Sequence, residues 1–241
     1  MKSIQVPVLS DNYSYIIACS ETKKAAIIDP SEASPILRAL TKDNLEPIAI
    51  VNTHHHQDHT GGNAEILATY PVPIISGPNN KHLDIGTLSF TIISVPGHTR
   101  DHIALYGHEA LFSGDTLFAS GCGRLFEGTA SDMYQSLNTL SKLPDDTKVY
   151  CAHEYTITNL QFAHSVEPHN RDIQEKLTWA IEQQKNNQPT VPSTIGEEKK
   201  YNPFLRCDSP EIIQNLKQKG FTDLDEAVKV FAALRKLKDH F

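Results

Sequence analysis

The chain of 241 residues predicts a mixed α/β domain followed by a helical extension. Short β-branched or period-two runs recur through residue 165 and then stop. Segments with apolar residues at helical spacing interrupt those runs. Beyond residue 165 only helical patterns and a polar loop containing two prolines remain. The shift in pattern divides the chain into residues 1–165 and 166–241.

The elements follow in order. Ile4-Gln-Val-Pro-Val8 alternates with period two, and Tyr13–Cys19, Ala25–Asp29 and Ile48–Asn52 are apolar runs ended by polar residues. Ser34-Pro35 reads as an N-cap with proline at the first helical position, followed by Ile36, Leu37 and Leu40 on one face. A helix is expected over Asn63–Tyr70, then strands over Leu88–Val95, Ile103–Tyr106, Ala110–Ser113 and Lys148–Ala152. Ser131–Leu143 carries Met133, Leu137 and Leu140 at helical spacing. In the extension, Asn170–Lys185 reads as a helix and Asn186–Thr194 as a loop. Ser209-Pro210 opens a short helix that Gly220 stops. Thr222 is the expected cap of a last helix bearing Leu224, Val228, Phe231 and Leu234.

The formal charge of −7 argues against nucleic acid as a partner. A start of Met-Lys-Ser-Ile-Gln-Val-Pro has no apolar core, so no signal peptide is expected, and no run is long enough to span a membrane. Cys19, Cys122, Cys151 and Cys207 are far apart, which suits reduced thiols in a cytoplasmic protein. Twelve histidines are many for this length.

Their arrangement carries the chemistry. Residues 53–59 read Thr-His-His-His-Gln-Asp-His, with Gly61-Gly62 just beyond. His54, His56, Asp58 and His59 are all ligand types for a borderline divalent ion. If the Ile48–Asn52 strand stays extended past Thr53, His54 and His56 project to one side and His55 to the other. His98, Asp115 and His153 each stand where a later strand gives way to a loop. Any of these three alone would more often be a core histidine or a turn aspartate. Their shared position at strand ends raises them.

A catalytic metal seldom takes more than three protein ligands, so five histidines and two aspartates suggest two ions. His54, His56 and His98 can hold one, Asp58, His59 and His153 the other, and the two oxygens of Asp115 can bridge them. Zinc is the expected metal, and iron or manganese also suits the donors. His55, His82, His102, His108, His164, His169 and His240 are expected to be solvated or hydrogen-bonding residues.

The Thr-His-x-His-x-Asp-His segment resembles the signature of the metallo-β-lactamase superfamily. Gly121–Thr129, Ala152–Tyr155, Asn202–Arg206 and Arg235–Phe241 resemble the hydroxyacylglutathione hydrolases, or glyoxalase II, so the likeness spans nearly the whole chain. The resemblance implies an αββα sandwich with a dinuclear metal site and a C-terminal helical domain. It implies glutathione held by Arg124, Phe126, Tyr155, Arg235 and Lys238. Many relatives carry lysine and tyrosine where this chain has Arg124 and Phe126. Arginine keeps the cation, whereas phenylalanine cannot donate the hydrogen bond.

The chemistry implied is hydrolysis of S-D-lactoylglutathione to D-lactate and glutathione, a step of methylglyoxal detoxification. A hydroxide bridging the two metals attacks the thioester, with Asp58 and Asp115 as the catalytic carboxylates. A thiolate leaves without a strong acid, which fits the lack of an obvious one. The only partner expected is the small-molecule glutathione thioester, acted on by a monomer. The alternative is a persulfide dioxygenase of the same fold with a single iron, a class that generally lacks the helical extension and the second ligand set.

Overall fold

The computed structural model describes residues 1–241. The chain forms two compact units and passes through each more than once. The first comprises Met1–Ser94, Asp101–Gly114 and Ala152–Glu154. Its first sheet runs β1 (Lys2–Val8), β2 (Asn12–Ala18), β3 (Lys24–Ile28), β4 (Glu46–Asn52), β5 (Ile74–Ser76). β1, β2 and β3 pair antiparallel, while β3–β4 and β4–β5 are parallel. Parallel neighbours need a crossover. Helix α1 (Ala33–Asp43) supplies the first, and α2 (Gln57–Thr60) with α3 (Asn63–Thr69) the second.

Side-chain alternation decides what each face of this sheet meets. Val6, Val8, Ile16, Ala25, Ile27 and Ile50 pack on Ile36 and Leu40 of α1 and Ile66 of α3. The opposite face meets a second, antiparallel run, β6 (His82–Ile85), β7 (Leu88–Ser94), β8 (Ile103–Gly107), β9 (Ala110–Gly114). Tyr15 of β2 sets its ring edge-on to Phe112 of β9 at 5.4 Å. Both sheets are therefore buried where they face each other, and α1 and α3 cover the outside of the first.

The second unit comprises Val95–Arg100, Asp115–Cys151 and Tyr155–Phe241. It begins with a hairpin of β10 (Leu117–Phe118) and β11 (Gly121–Cys122), then α4 (Ala130–Leu140) and β12 (Lys148–Cys151). Helices α5 (Thr156–Val166) and α6 (Arg171–Lys185) follow, then β13 (Ser193–Thr194), which pairs with β12, and α7 (Ile195–Tyr201). A 3-10 turn at Pro203–Leu205 leads to α8 (Pro210–Gln218) and α9 (Ala227–Lys238). Phe204 in that turn stacks on Phe162 of α5 at 6.0 Å and meets Phe231 of α9 edge-on at 5.5 Å, so one ring joins two helices.

Two helix starts differ from expectation. Helix α1 begins at Ala33 after Glu32, so Ser34 is not the cap. Glu32 instead accepts from the Leu9 amide at 2.7 Å, and Pro35 still falls in the first turn, where a missing N–H costs nothing. Helix α9 begins at Ala227 rather than after Thr222. Lys229 draws Asp223 and Asp225 onto its ammonium at 2.8 Å each, and the stretch before Ala227 stays irregular. The expected loop at 186–194 ends in the two residues of β13.

Candidate active site

In the first unit the donors lie on the segment that follows β4. His54 is buried and His56 partly buried, with His54 Nε2 and His56 Nδ1 facing each other at 3.0 Å. His55 points outward to Asp101 at 3.4 Å, as the alternation predicts. Asp58 and His59 sit on the single turn of α2, and His153 on the short segment that pairs with Asn12 at the start of β2. Asp58, His59 and His153 each offer one donor atom, all within 4.8 Å of one another.

Carboxylates aim these rings. His59 Nδ1 lies 3.0 Å from Asp29 Oδ2, and His153 Nδ1 lies 2.9 Å from Asp11 Oδ1. A carboxylate at Nδ1 keeps the proton there and leaves a lone pair at Nε2. Both Nε2 atoms then stand 3.5 Å from Asp58 Oδ2. Two imidazoles with their protonated nitrogens tethered behind them, converging with one carboxylate, are the arrangement a divalent ion requires, so these residues fit a metal.

Asp29 does more than hold His59. It accepts from the Thr53 amide and the Thr53 hydroxyl, each at 2.7 Å. That hydroxyl lies 3.1 Å from His54 Nδ1. One buried carboxylate therefore orients His59 directly and His54 through the Thr53 hydroxyl. Asp58 is fixed by Asn12, whose Nδ2 donates to its carboxylate at 3.1 Å, and by the Ser31 hydroxyl, which donates to its carbonyl. His102, expected to be solvated or merely hydrogen-bonding, is fully buried and stacks on His54 with ring centroids 4.8 Å apart. Asp11, Asn12, Asp29 and His102 carried no signal, because lone polar residues at strand ends are ordinary.

The second unit holds His98 and Asp115. His98 Nδ1 faces the Arg124 carbonyl at 2.9 Å and Nε2 faces Asp115 Oδ2 at 3.5 Å, the same tether-and-donor pattern. Gly123 makes this approach feasible: a Cβ there would stand 2.0 Å from the Asp115 carbonyl oxygen.

The expected substrate residues belong to this unit as well. Arg124 is exposed, Phe126 is 62% exposed and sets its ring edge-on to His98 at 5.1 Å, and Tyr155 packs on Phe118 at 5.6 Å. Lys238 is half-buried over the rings of Phe162 and Phe241 and donates to the Thr158 carbonyl at 3.3 Å. Its pKa falls to about 8, first because burial disfavours the charge and then because Arg235 and Arg124 are near. Arg235, expected among the residues that hold glutathione, is buried. It is 4% exposed, donates to the Cys122 carbonyl at 2.9 Å and pairs with Asp239 at 3.0 Å. Asp239 also faces Arg124 at 3.9 Å, so one carboxylate serves both arginines.

Paired sheets, an outer helical layer and histidine–aspartate donors at strand ends define a protein of the metallo-β-lactamase class, and the metallo-beta-lactamase superfamily model matches residues 8–85 and 81–153. A solved B3 metallo-beta-lactamase, BLEG-1, is similar at TM-score 0.66, with 24% identity over 85% of this chain and 99% of its own. The hydroxyacylglutathione hydrolase C-terminus model matches residues 154–241. Full-length relatives named hydroxyacylglutathione hydrolase include one from Synechococcus sp. (strain JA-3-3Ab), 45% identical over 100% of both chains. Another, from Nitrosomonas eutropha, is 44% identical over 98% of this chain and 97% of its own. The chain belongs to the hydroxyacylglutathione hydrolase family. The one-iron dioxygenase alternative is not favoured: the ETHE1 structure from Myxococcus xanthus is a more distant relative, 25% identical with TM-score 0.65 over 99% of this chain and 100% of its own.

Proposed function

We propose that the protein hydrolyses 2-hydroxyacylglutathione thioesters, S-D-lactoylglutathione among them, to the 2-hydroxy acid and glutathione. The observation that carries this reading is the convergence of His59 and His153 on Asp58, each ring tethered by its own carboxylate, in a chain of this family. Two divalent ions are proposed, held by His54, His56 and His98 and by Asp58, His59 and His153, with Asp115 common to both. Zinc is the proposed metal, and iron or manganese suits the same donors. When bound, such ions acidify a water molecule and polarise a carbonyl.

The remaining work falls to this chain's side chains. Asp58 is anchored by Asn12 and Ser31, and its carboxylate is positioned to orient the attacking water. Glutathione carries two carboxylates, and the Arg124, Arg235 and Lys238 cluster has a single carboxylate, Asp239, to balance it. That positive excess supports binding the thioester's carboxylates at Arg124 and Lys238, with Arg235 holding the strand behind them. Tyr155 and Phe126 are proposed to flank the peptide part of the ligand. A thiolate is a good leaving group, so no side chain has to protonate it. The helical part from residue 166 onward is proposed as the substrate-binding domain and residues 1–165 as the catalytic one. A monomer in a reducing cytoplasm suits a chain that supplies every proposed ligand itself and has four cysteines without a disulfide. No helix is long and apolar enough to cross a membrane.

Metal analysis of the purified protein, with rates on S-D-lactoylglutathione and on a thioester lacking glutathione, tests the reading. Two equivalents of metal and a marked preference for the glutathione thioester are expected. Equal rates on both would remove the glutathione assignment.

A further inference from the structure

The hairpin β10–β11 lies between Asp115 and Arg124, and its own pairing is minimal: Leu117 with Cys122 and Phe118 with Gly121. So short a hairpin cannot hold itself in one geometry. Ser120 at its tip also has a left-handed backbone, φ 58°.

Side chains from three later segments occupy its backbone groups. Asn159 of α5 donates to the Ala119 carbonyl at 3.1 Å. Asn202, just past α7, donates to the Phe118 carbonyl at 3.3 Å and the Gly121 carbonyl at 3.0 Å. Glu198 of α7 accepts from the Ser120 amide at 2.8 Å and from Asn202 Nδ2 at 2.8 Å. The Asn202 oxygen in turn accepts from the Phe204 amide at 3.1 Å. Glu198 and Asn202 are both fully buried. Gly121 leaves room for the Asn159 amide, since a Cβ there would stand 2.5 Å from Asn159 Nδ2 and displace it.

We propose that Glu198 and Asn202 are positioning residues for substrate binding: they lock the Leu117–Cys122 hairpin so that the next residues present Arg124 to the thioester. Neither touches the reacting atoms. Their effect travels along the hairpin backbone to the cation that follows it. The proposal rests on the thioesterase reading for its kinetic consequence. Burial pushes the Glu198 carboxyl up to about 7, against the hydrogen bonds that Ser120 and Asn202 donate to it. A side chain so poised acts through geometry, and a neutral amide in its place keeps an oxygen for Ser120 and Asn202.

Full-length Asn202→Ala, Glu198→Ala and Glu198→Gln separate this role from a general structural one. Hydrogen exchange of the amides from Leu117 to Phe126 is expected to accelerate at least about 10-fold in both alanine variants while α6 and α8 stay protected. KM for S-D-lactoylglutathione is expected to rise about 10-fold with kcat within about 3-fold, and Glu198→Gln to restore KM. Unchanged exchange at the hairpin, acceleration throughout the helices, or Glu198→Gln as defective as Glu198→Ala overturns the proposal. Should the alanine variants not fold, Asn159→Ala removes one carbonyl partner only, and the same localised exchange is expected from it. An inactive wild type would defeat the thioesterase reading alone, since the exchange result stands without turnover.

Discussion

Two regions of the molecule are built on opposite principles. The Thr53–His59 segment and His153 supply donors, and carboxylates behind them aim them: Asp29 on His59 and Thr53, Asp11 on His153. The hairpin from Leu117 to Cys122 supplies none of the proposed metal ligands, and amides and a buried acid behind it hold its backbone. The first region fixes the orientation of nitrogen lone pairs, which must be right for a metal. The second fixes the path of a loop, which must be right for a ligand. Damage to the first should therefore appear in turnover and metal content, and damage to the second in KM.

The largest expected effect comes from breaking the first region at its centre. Asp58→Ala removes the atom on which His59 and His153 converge. We expect kcat/KM for S-D-lactoylglutathione to fall by about 10³-fold, about 4 kcal/mol of transition-state stabilisation, with metal content reduced. Steady-state assays and elemental analysis check this. Activity within about 10-fold of wild type would show that the cluster does not perform the chemistry.

The same contrast explains what was legible in the sequence. His54, His56, Asp58 and His59 stood out because few residue types bind metal and nothing else crowds them together. His98, Asp115 and His153 were legible only through their shared place at strand ends. Asp29 was not, since its role depends on Thr53 and His59 reaching it across the fold. His102, expected to be solvated or hydrogen-bonding, is fully buried against His54, so only its solvation is excluded. Helix α5 escaped because its buried residues, Thr156, Asn159, Leu160, Phe162, Ala163 and Val166, lie on several sides and leave no apolar stripe. In Asn202–Arg206 the motif was visible but its task was not: Asn202 holds the hairpin and Arg206 pairs with the buried Glu167 at 2.6 Å. Strands with clean alternation, such as β1 and β7, were read within a few residues.

A subtler break leaves every proposed ligand in place. Asp29→Asn keeps an oxygen for the Thr53 amide but can set an N–H toward His59 Nδ1, where the carboxylate only accepts. His59 then favours the tautomer with its proton on Nε2, which cannot ligate. Metal affinity, read by competition with a chelator, is expected to drop about 10- to 100-fold, the usual range for groups behind a ligand. KM of the fully loaded variant should stay at the wild-type value. A change in KM with unchanged metal affinity would blur the division between the two regions.

The smallest effect sharpens the second region by pH alone. Lys238 has a pKa lowered to about 8 by burial, with Arg235 and Arg124 adding to the shift. For a lysine this sign means the charge is present below that value and lost as pH rises through it. The positive excess around Asp239 then shrinks, and an anionic thioester is held less well. The dependence of kcat/KM on pH reports free-enzyme groups, so its falling limb should lie near pH 8. Between neutrality and pH 9 the loss should be roughly 3- to 5-fold, the size of a partly exposed ion pair. Lys238→Met should lower kcat/KM at neutral pH by a similar factor and flatten the limb, while metal affinity stays unchanged. If the limb survives in Lys238→Met, its source is another group, such as the ammonium of glutathione, and Lys238 does not bind the substrate's carboxylates.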